Sequence, residues 1–546
     1  MKEGILTLYA ADVINKIYPE FRIWDLFVVQ IHQESLRLDT HSIMKPLMSE
    51  ANSAAINSPL SFSCYIKAAP AILHMLQHVL GYDVFWNGIK IFLNDREYKS
   101  SSNFDDLWTA MQIALNNSNS TYKINVTDKM NTWTQLKYYP VLNVTKFDLV
   151  NVKILNNNVQ NETVNIPVTY TTQDRCNFND TSPYEVFTTP YVSVSPLWIY
   201  TTGIKLSSNV SRWMIINIQQ TGYYRVNYDA IYWGRIVHYL TSDEYTKIHV
   251  LNRAQIIDDA FYFLMHSQLP LSTFLELTKY LQRETDYVAW YLMFKVLEYM
   301  SSFFLFETSA HMKEHLRDIL QELLKHITYT EKSDEKSDDF IKCLRQEAAK
   351  WACVLGDSTC KHFATSKLKQ HLDDIKPLRP EWKKWAYCNG LANSYDIRRD
   401  VFDTWMNKAD SKLLEYLSCP ASPYIIIDYL NIIVNKLKIC DLKVPSCKYI
   451  RMHRNELVNS YLITIAKHVM DNEVLKYILK NFDKIILSDE VNVNIVLINI
   501  INHAHSKKQL DKILEFVEDY WNQTFVEKTV KVDYSKLDIS QKLKRE

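Results

Sequence analysis

Eight glycines in 546 residues constrain this chain more than any other feature of its sequence. At about 1.5%, against a usual share near 7%, there are too few for Gly-rich phosphate loops, propeller blades or a turn-dense all-β fold. A mainly helical protein is expected. A hydrophobic share of 47% and a charged share of 23% exclude a mainly disordered chain. The length suits about three or four domains, each able to bury a core of its own. With 62 basic side chains against 62 acidic ones, nothing draws the chain generally towards phosphates, which argues against nucleic acid as a partner.

Apolar periodicity divides the chain into three parts. Over residues 1–117 the period is helical: Leu6, Tyr9, Val13, Ile14 and Ile17 recur at three-to-four spacing, as do Ile89, Phe92 and Leu93, then Phe104, Leu107, Met111 and Leu115. Residues 118–131 are polar, Asn-rich and without a period, and read as a linker. The pattern then changes to short β-rich runs at 136–144, 149–155, 164–171, 198–206 and 213–218, which predict a small β-sandwich within 118–228. Helical periods return over 229–546, as in Leu316, Ile319, Leu320, Leu323, Leu324 and Ile327, or Ile426, Leu430, Ile433 and Leu437. Short helices without a strict repeat predict an irregular HEAT/armadillo-like stack. Residues 330–339 read as a solvated loop.

Met1 to Ile5 show no basic region followed by an apolar one, so no secretory signal is expected there. No stretch approaches the roughly 18 apolar residues of a membrane span. Asn-x-Ser/Thr acceptor sites nevertheless occur at Asn116, Asn119, Asn125, Asn143, Asn161, Asn179, Asn209 and Asn522. They point to a lumenal or extracellular surface.

Two histidine pairs at i and i+4 invite a metal reading. His311-Met312-Lys313-Glu314-His315 matches H-x-x-E-H. Met312, Leu316, Ile319 and Leu323 form the apolar stripe of that helix, however, and His311, Glu314, His315, Asp318 and Glu322 line the opposite, solvated face. His74 and His78 stand opposite a stripe of Ile72, Leu73, Leu76, Val79 and Leu80. Lys67 shares their polar face, and no carboxylate lies between them to act as a base. The nine cysteines fit neither a metal ribbon nor a small disulfide scaffold. Cys353 and Cys360 lie two helical turns apart, beyond disulfide reach unless Gly356-Asp357-Ser358 bends the chain, which leaves a disulfide and buried thiols both open. The sequence contains no H-E-x-x-H, G-x-S-x-G, P-loop or dinucleotide fingerprint.

Several segments, in order along the chain, carry a resemblance. They begin with Met1-Lys2-Glu3-Gly4-Ile5-Leu6-Thr7-Leu8-Tyr9, Asp25-Leu26-Phe27-Val28, Ser58-Pro59 and Phe62-Ser63-Cys64-Tyr65-Ile66-Lys67-Ala68-Ala69. Leu76 to Leu80 with Gly81 and Phe85, Asp106-Leu107-Trp108, Met130 to Thr134 and Tyr139-Pro140-Val141 follow. Thr221 to Asp229 and Arg253 to Ala260 complete the series. Together they resemble the zinc aminopeptidase family, the aminopeptidase N-like gluzincins, with a C-terminal region like that of the endoplasmic reticulum aminopeptidases. The resemblance implies that residues 1–117 are the C-terminal helical part of a thermolysin-like catalytic domain. It makes Glu3 the third zinc ligand and Tyr65 the tyrosine whose hydroxyl stabilises the tetrahedral intermediate. Cys353 with Cys360, and Cys388 with Cys419, sit where relatives carry two disulfides.

Two departures stand beside it. Ala68 replaces a glycine usual in the family, and Pro70 is tolerated only if its helix begins within the preceding turn, which would displace Tyr65. In the family, zinc held by two imidazoles and a carboxylate activates water, and the glutamate of H-E-x-x-H takes the proton. Of that set only Glu3 has a match here, and G-A-M-E-N, which binds the substrate's amino group, has none. The expectation is the C-terminal portion of a zinc metallo-aminopeptidase acting on peptides with a free N-terminus, located outside the cell, on its surface or in the secretory lumen. By itself the chain is expected neither to bind zinc nor to cleave peptides, to expose apolar surface over residues 1–115, and to pair as a homodimer through the helical domain. The alternative is a non-catalytic peptide- or protein-binding scaffold.

Overall fold

The computed structural model describes residues 2–39, 59–94, 103–119, 124–136, 139–145, 149–154, 164–183, 185–189, 204–205, 212–301, 309–330, 338–391, 401–402, 411–419, 422–440, 447–486, 492–504 and 506–524. They are mostly helical, in keeping with the scarcity of glycine. No helix among them is long and apolar enough to cross a membrane. The chain forms two compact units, one built from residues 1–300 with 325–327 and 332–344, the other from the rest of 301–546.

The first unit opens with helix α1 (Lys2–Ile17), α2 (Ile23–Phe27), a π-helical turn (Val28–His32) and α3 (Gln33–Leu38). Helices α4 (Pro59–Leu80), α5 (Tyr82–Asn94), α6 (Phe104–Asn116) and α7 (Val126–Gln135) follow. Asn103 starts α6 with a capping box: its side chain accepts from the Asp106 amide and the Asp106 carboxylate accepts from the Asn103 amide, both at 2.9 Å. Asn125 caps α7, its side-chain oxygen accepting from the Asp128 amide at 3.2 Å while its Nδ2 donates to the Asp128 carboxylate at 2.6 Å. Part of the expected linker is therefore helix, because a single cap satisfies amide donors that the polar composition seemed to leave to water.

Strands β1 (Pro140–Thr145), β2 (Leu149–Ile154), β3 (Val164–Val168), β4 (Tyr170–Thr172), β5 (Glu185–Thr189), β6 (Ile204–Lys205), β7 (Met214–Ile216) and β8 (Arg225–Tyr228) come next. They form a four-stranded sheet in the order β6-β2-β1-β8 and the pairs β3-β5 and β4-β7. β1 runs antiparallel to β2 but parallel to β8, with Val141 opposite Arg225. Strand β8 leads into Asp229, whose carboxylate accepts from the amides of Ile231 and Tyr232 at 3.0 Å and starts α8 (Ala230–Leu240). Helices α9 (Val250–Met265), α10 (Leu271–Thr278) and α11 (Tyr287–Met300) complete this unit. Two strands, β5 and β8, went unforeseen in the sequence pattern. Of the expected run 198–206, only Ile204–Lys205 lies within the described residues.

In the second unit, apart from residues 325–327 and 339–344, α12 (Ala310–Ile327), α13 (Asp339–Val354), α14 (Ser358–Leu372), α15 (Pro380–Gly390), α16 (Ser411–Leu417), α17 (Pro423–Cys440), α18 (Lys448–Met452), α19 (Arg454–His468), α20 (Asn472–Lys480), α21 (Phe482–Ile485), α22 (Val493–His503) and α23 (Lys507–Thr524) follow one another. α14 packs on α15, α17 on α19 and α20, and α19 on α22. The apolar residues that set the period of α12 and α17 are buried, Leu323, Ile426 and Ile433 completely. The expected loop at 330–339 falls largely outside the described residues.

Candidate functional site

Glu3 and Tyr65 lie on two helices that pack against each other, α1 and α4. Gly4 permits the approach. A Cβ on it would come within 3.0 Å of the Ala69 Cβ and 3.2 Å of the Pro70 nitrogen, so the glycine beside the candidate ligand is the contact point with the helix that carries the tyrosine. The Glu3 side chain is exposed, and the Tyr65 side chain lies outside the described residues. Pro70 corrects the sequence reading: it sits in the interior of α4, eleven residues after the helix starts, not in its first turn. The missing proline N–H leaves the Ile66 carbonyl without its intrahelical donor, a defect the helix bears where it packs against Gly4.

Much of the apolar stripe of α1 faces outwards, in line with the open apolar surface expected over residues 1–115. Leu6, Tyr9 and Ile17 are 59%, 55% and 60% exposed, with Tyr18 and Phe21 also open, while Gly4, Leu8, Ala11 and Asp12 face inwards. The buried face is anchored by Asp12, which accepts from the Tyr82 hydroxyl at 2.8 Å and pairs with Lys16 at 3.0 Å.

The histidine pairs part company. On α12, His311 and Glu314 are exposed and Leu316, Ile319 and Leu323 buried, as the stripe predicts. His74 and His78, by contrast, are not on a solvated face. His74 is buried with its ring stacked on Trp24, centroids 5.1 Å apart, and 5.1 Å from Phe27. Its Nε2 lies 3.2 Å from Nε2 of His78, whose Nδ1 is 2.9 Å from the Thr181 hydroxyl. Burial lowers the proton affinity of both, His74 well below the usual imidazole value and His78 to about 4. The helix-face argument missed this because residues distant in sequence cover the face. Among the described residues no three His, Cys, Asp or Glu side chains stand together as metal ligands.

Both candidate disulfides are formed. Cys353 and Cys360 are linked with Cα atoms 5.3 Å apart. The bend between them comes from Gly356 at φ +89°, a left-handed position that suits glycine, and from Asp357, which caps α14 by accepting from the Thr359 amide. Asp357 also accepts from Gln321 Nε2 and the Tyr329 hydroxyl, each at 3.2 Å. Cys388 and Cys419 are joined with Cα atoms 4.8 Å apart. Of the acceptor asparagines, Asn116, Asn119 and Asn179 are exposed, Asn125 is the α7 cap, and Asn143 is half-buried in β1. Asn161, Asn209 and the side chain of Asn522 lie outside the described residues.

A buried charge cluster went unforeseen although its members sit in three of the recognised segments. Arg225 is fully buried and donates to Asp258 at 2.7 Å, Asp259 at 2.9 Å and the Tyr139 hydroxyl at 3.0 Å. The second Asp259 oxygen accepts from the Val226 amide at 3.1 Å. Burial pushes the Asp259 carboxyl up to about 7, against the pull of Arg225. The cluster ties β8 and the residue preceding β1 to α9. Its signal in the sequence was a charge in the middle of an otherwise apolar or aromatic run.

Comparison with known proteins gives these observations a family. Residues 1–133 match the peptidase family M1 domain and residues 213–537 match the ERAP1-like C-terminal domain. The chain is 26% identical to aminopeptidase N of Plutella xylostella over 404 residues, covering 72% of this chain and 41% of that protein. Human aminopeptidase N is 27% identical over 449 residues, 76% of this chain and 44% of its own. A membrane alanyl aminopeptidase of Heliothis virescens is 28% identical over 383 residues, 66% and 36%. The chain thus spans less than half the length of these relatives. With two family domains matched in order, and the zinc-peptidase segments lying on packed helices, the chain belongs to the aminopeptidase N-like zinc aminopeptidase family.

Proposed function

We propose that these residues supply the part of a zinc metallo-aminopeptidase that runs from its third zinc ligand onwards, in an enzyme that removes N-terminal amino acids from peptides. The observation that carries this reading is the packing of α1 on α4 at Gly4 and Ala69, which brings together the helices bearing Glu3 and Tyr65. Zinc, when bound, would polarise the scissile carbonyl. Glu3 is the carboxylate this chain offers to such a site. The Tyr65 hydroxyl donates to the oxygen on which negative charge develops. Residues 1–117 would form the helical part of a thermolysin-like catalytic domain, 118–228 a β-sandwich domain, and 229–546 a HEAT/armadillo-like stack able to mediate homodimerisation. The exposed acceptor sites Asn116, Asn119 and Asn179 and the two disulfides support a place outside the cell or in the secretory lumen.

The 546 residues contain no H-E-x-x-H, so by themselves they are expected to hold no zinc and turn over no peptide. The test is capture of the protein from its native tissue with an antibody to the helical domain. A deglycosylated mass above 64.3 kDa, peptides containing H-E-x-x-H, and chelator-sensitive hydrolysis of aminoacyl-arylamides are the expected results. A captured 64.3 kDa protein starting at Met1, without zinc and without activity, would overturn the enzymatic reading and favour the scaffold.

A further inference from the structure

The first unit buries histidines that the proposed chemistry does not use. His32, on the π-helical turn, is wholly buried with neither ring nitrogen hydrogen-bonded to a side chain, and its ring lies 5.5 Å from that of Tyr223. His74 and His78 form a chain that ends on Thr181: the gap between the two Nε2 atoms is 3.2 Å and that from His78 Nδ1 to the Thr181 hydroxyl is 2.9 Å. The chain joins α4 to residues 164–183, the segment that holds β3 and β4.

One assignment of protons satisfies this geometry best. His74 donates from Nε2 to Nε2 of His78, and His78 donates from Nδ1 to Thr181. His74 Nδ1, which has no partner, is then a bare lone pair and not a stranded N–H. In that state neither ring has a good place for another proton. A proton on His74 Nδ1 would point an N–H at no acceptor within the aromatic stack of Trp24 and Phe27. A proton on His78 Nε2 would oppose the His74 N–H across 3.2 Å.

The neighbours give no relief. His78 and His32 act on His74, and Arg225 acts on His32, all of them repelling a new positive charge. The carboxylates on the surrounding elements are otherwise engaged: Asp25 pairs with Arg22, Asp180 accepts from the Ser182 amide, and Asp258 and Asp259 hold Arg225. Asp39, which faces the Tyr223 hydroxyl at 3.4 Å, is pushed by burial up to about 7 and is half neutral there.

We propose that the His74–His78–Thr181 chain is an acid-sensitive latch, which holds residues 164–183 on helix α4 while both imidazoles are neutral and releases them when the rings are protonated. The sign follows from linkage. Both histidines bind protons more weakly folded than unfolded, so the latch is at full strength above the unfolded value near 6.5 and weakens as the pH falls from there towards about 4. The ligand of the device is the proton, and its setting would be a mildly acidic compartment.

The test is hydrogen–deuterium exchange of the 546-residue protein at pH 7.5, 6.0 and 5.0, corrected for intrinsic rates, comparing peptides from 164–183 with peptides from 423–440. Opening of 164–183 is expected to rise by about tenfold or more per histidine between pH 7.5 and 5.0, in excess of the reference helix. The double variant His74→Phe, His78→Leu should lose that excess, and Thr181→Val should raise opening already at pH 7.5. An unchanged pH profile in the double variant, or no excess in the native protein, would overturn the proposal. Should the double variant fail to fold, the imidazole proton resonances of the native protein decide. Titration of His74 and His78 near 6.5 in the folded state sinks the latch, and silence until 164–183 opens supports it.

Discussion

Arg225 shows how much of this fold rests on a single buried side chain. Its guanidinium balances two carboxylates out of reach of water, and removing one partner of a buried ion pair leaves a charge with no compensation. Arg225→Ala is expected to cost about 3–5 kcal/mol, read as a lower urea midpoint. Because folding raises the proton affinity of Asp259, its contribution is present below the unfolded value and is lost as pH rises through about 7. The Arg225→Ala variant should therefore be least defective in mild acid. Tyr65 makes a different prediction, resting on the proposed function: in the active enzyme Tyr65→Phe should lower kcat by about 10²- to 10³-fold with little change in KM, since the hydroxyl acts on charge that develops only in the transition state. Neither Glu3 nor Tyr65 was legible from residue chemistry, because one carboxylate and one tyrosine on separate helices make no local signature. They emerged only through resemblance.

Among elements, the contact of α1 with α4 tolerates little added bulk. Gly4→Val would push a branched side chain against Ala69 Cβ and the backbone of Pro70. We expect a loss of about 1–3 kcal/mol, seen as a lower melting temperature. Elements were readable wherever their own period governed them: the strand runs at 149–155, 164–171 and 213–218 and the stripe of α12 all correspond to observed elements. They were misread where distant parts of the chain decide. α7 hides in polar sequence because one asparagine cap outweighs composition. β8 is short and charged at its start, and it pairs with a strand some 80 residues earlier. His74 and His78 looked solvated because Trp24, Phe27 and Thr181, which cover them, come from elsewhere in the chain.

At the scale of the whole molecule, α1 and the turn that follows it turn an apolar surface outwards. Leu6, Tyr9, Ile14, Ile17, Tyr18 and Phe21 are all exposed, and a patch of that kind drives association in water. The 546-residue protein should self-associate as its concentration rises. Leu6→Lys with Ile17→Lys should reduce this in sedimentation velocity without lowering the melting temperature, and equal association in the variant would exclude the face as its cause.

The pairing of β1 with β8 also bears on how the polypeptide can be divided. A fragment beginning at residue 213, where the ERAP1-like match starts, would keep β7 and β8 but lose β4 and β1, to which they are hydrogen-bonded. Both strands would then present open edges, which invite pairing between molecules. Arg225 would in addition be deprived of the Tyr139 hydroxyl. A cut placed ahead of Tyr139 keeps each of these strands with its partner, so the seam that matters for handling the helical part alone lies some 70 residues before the boundary that sequence families draw.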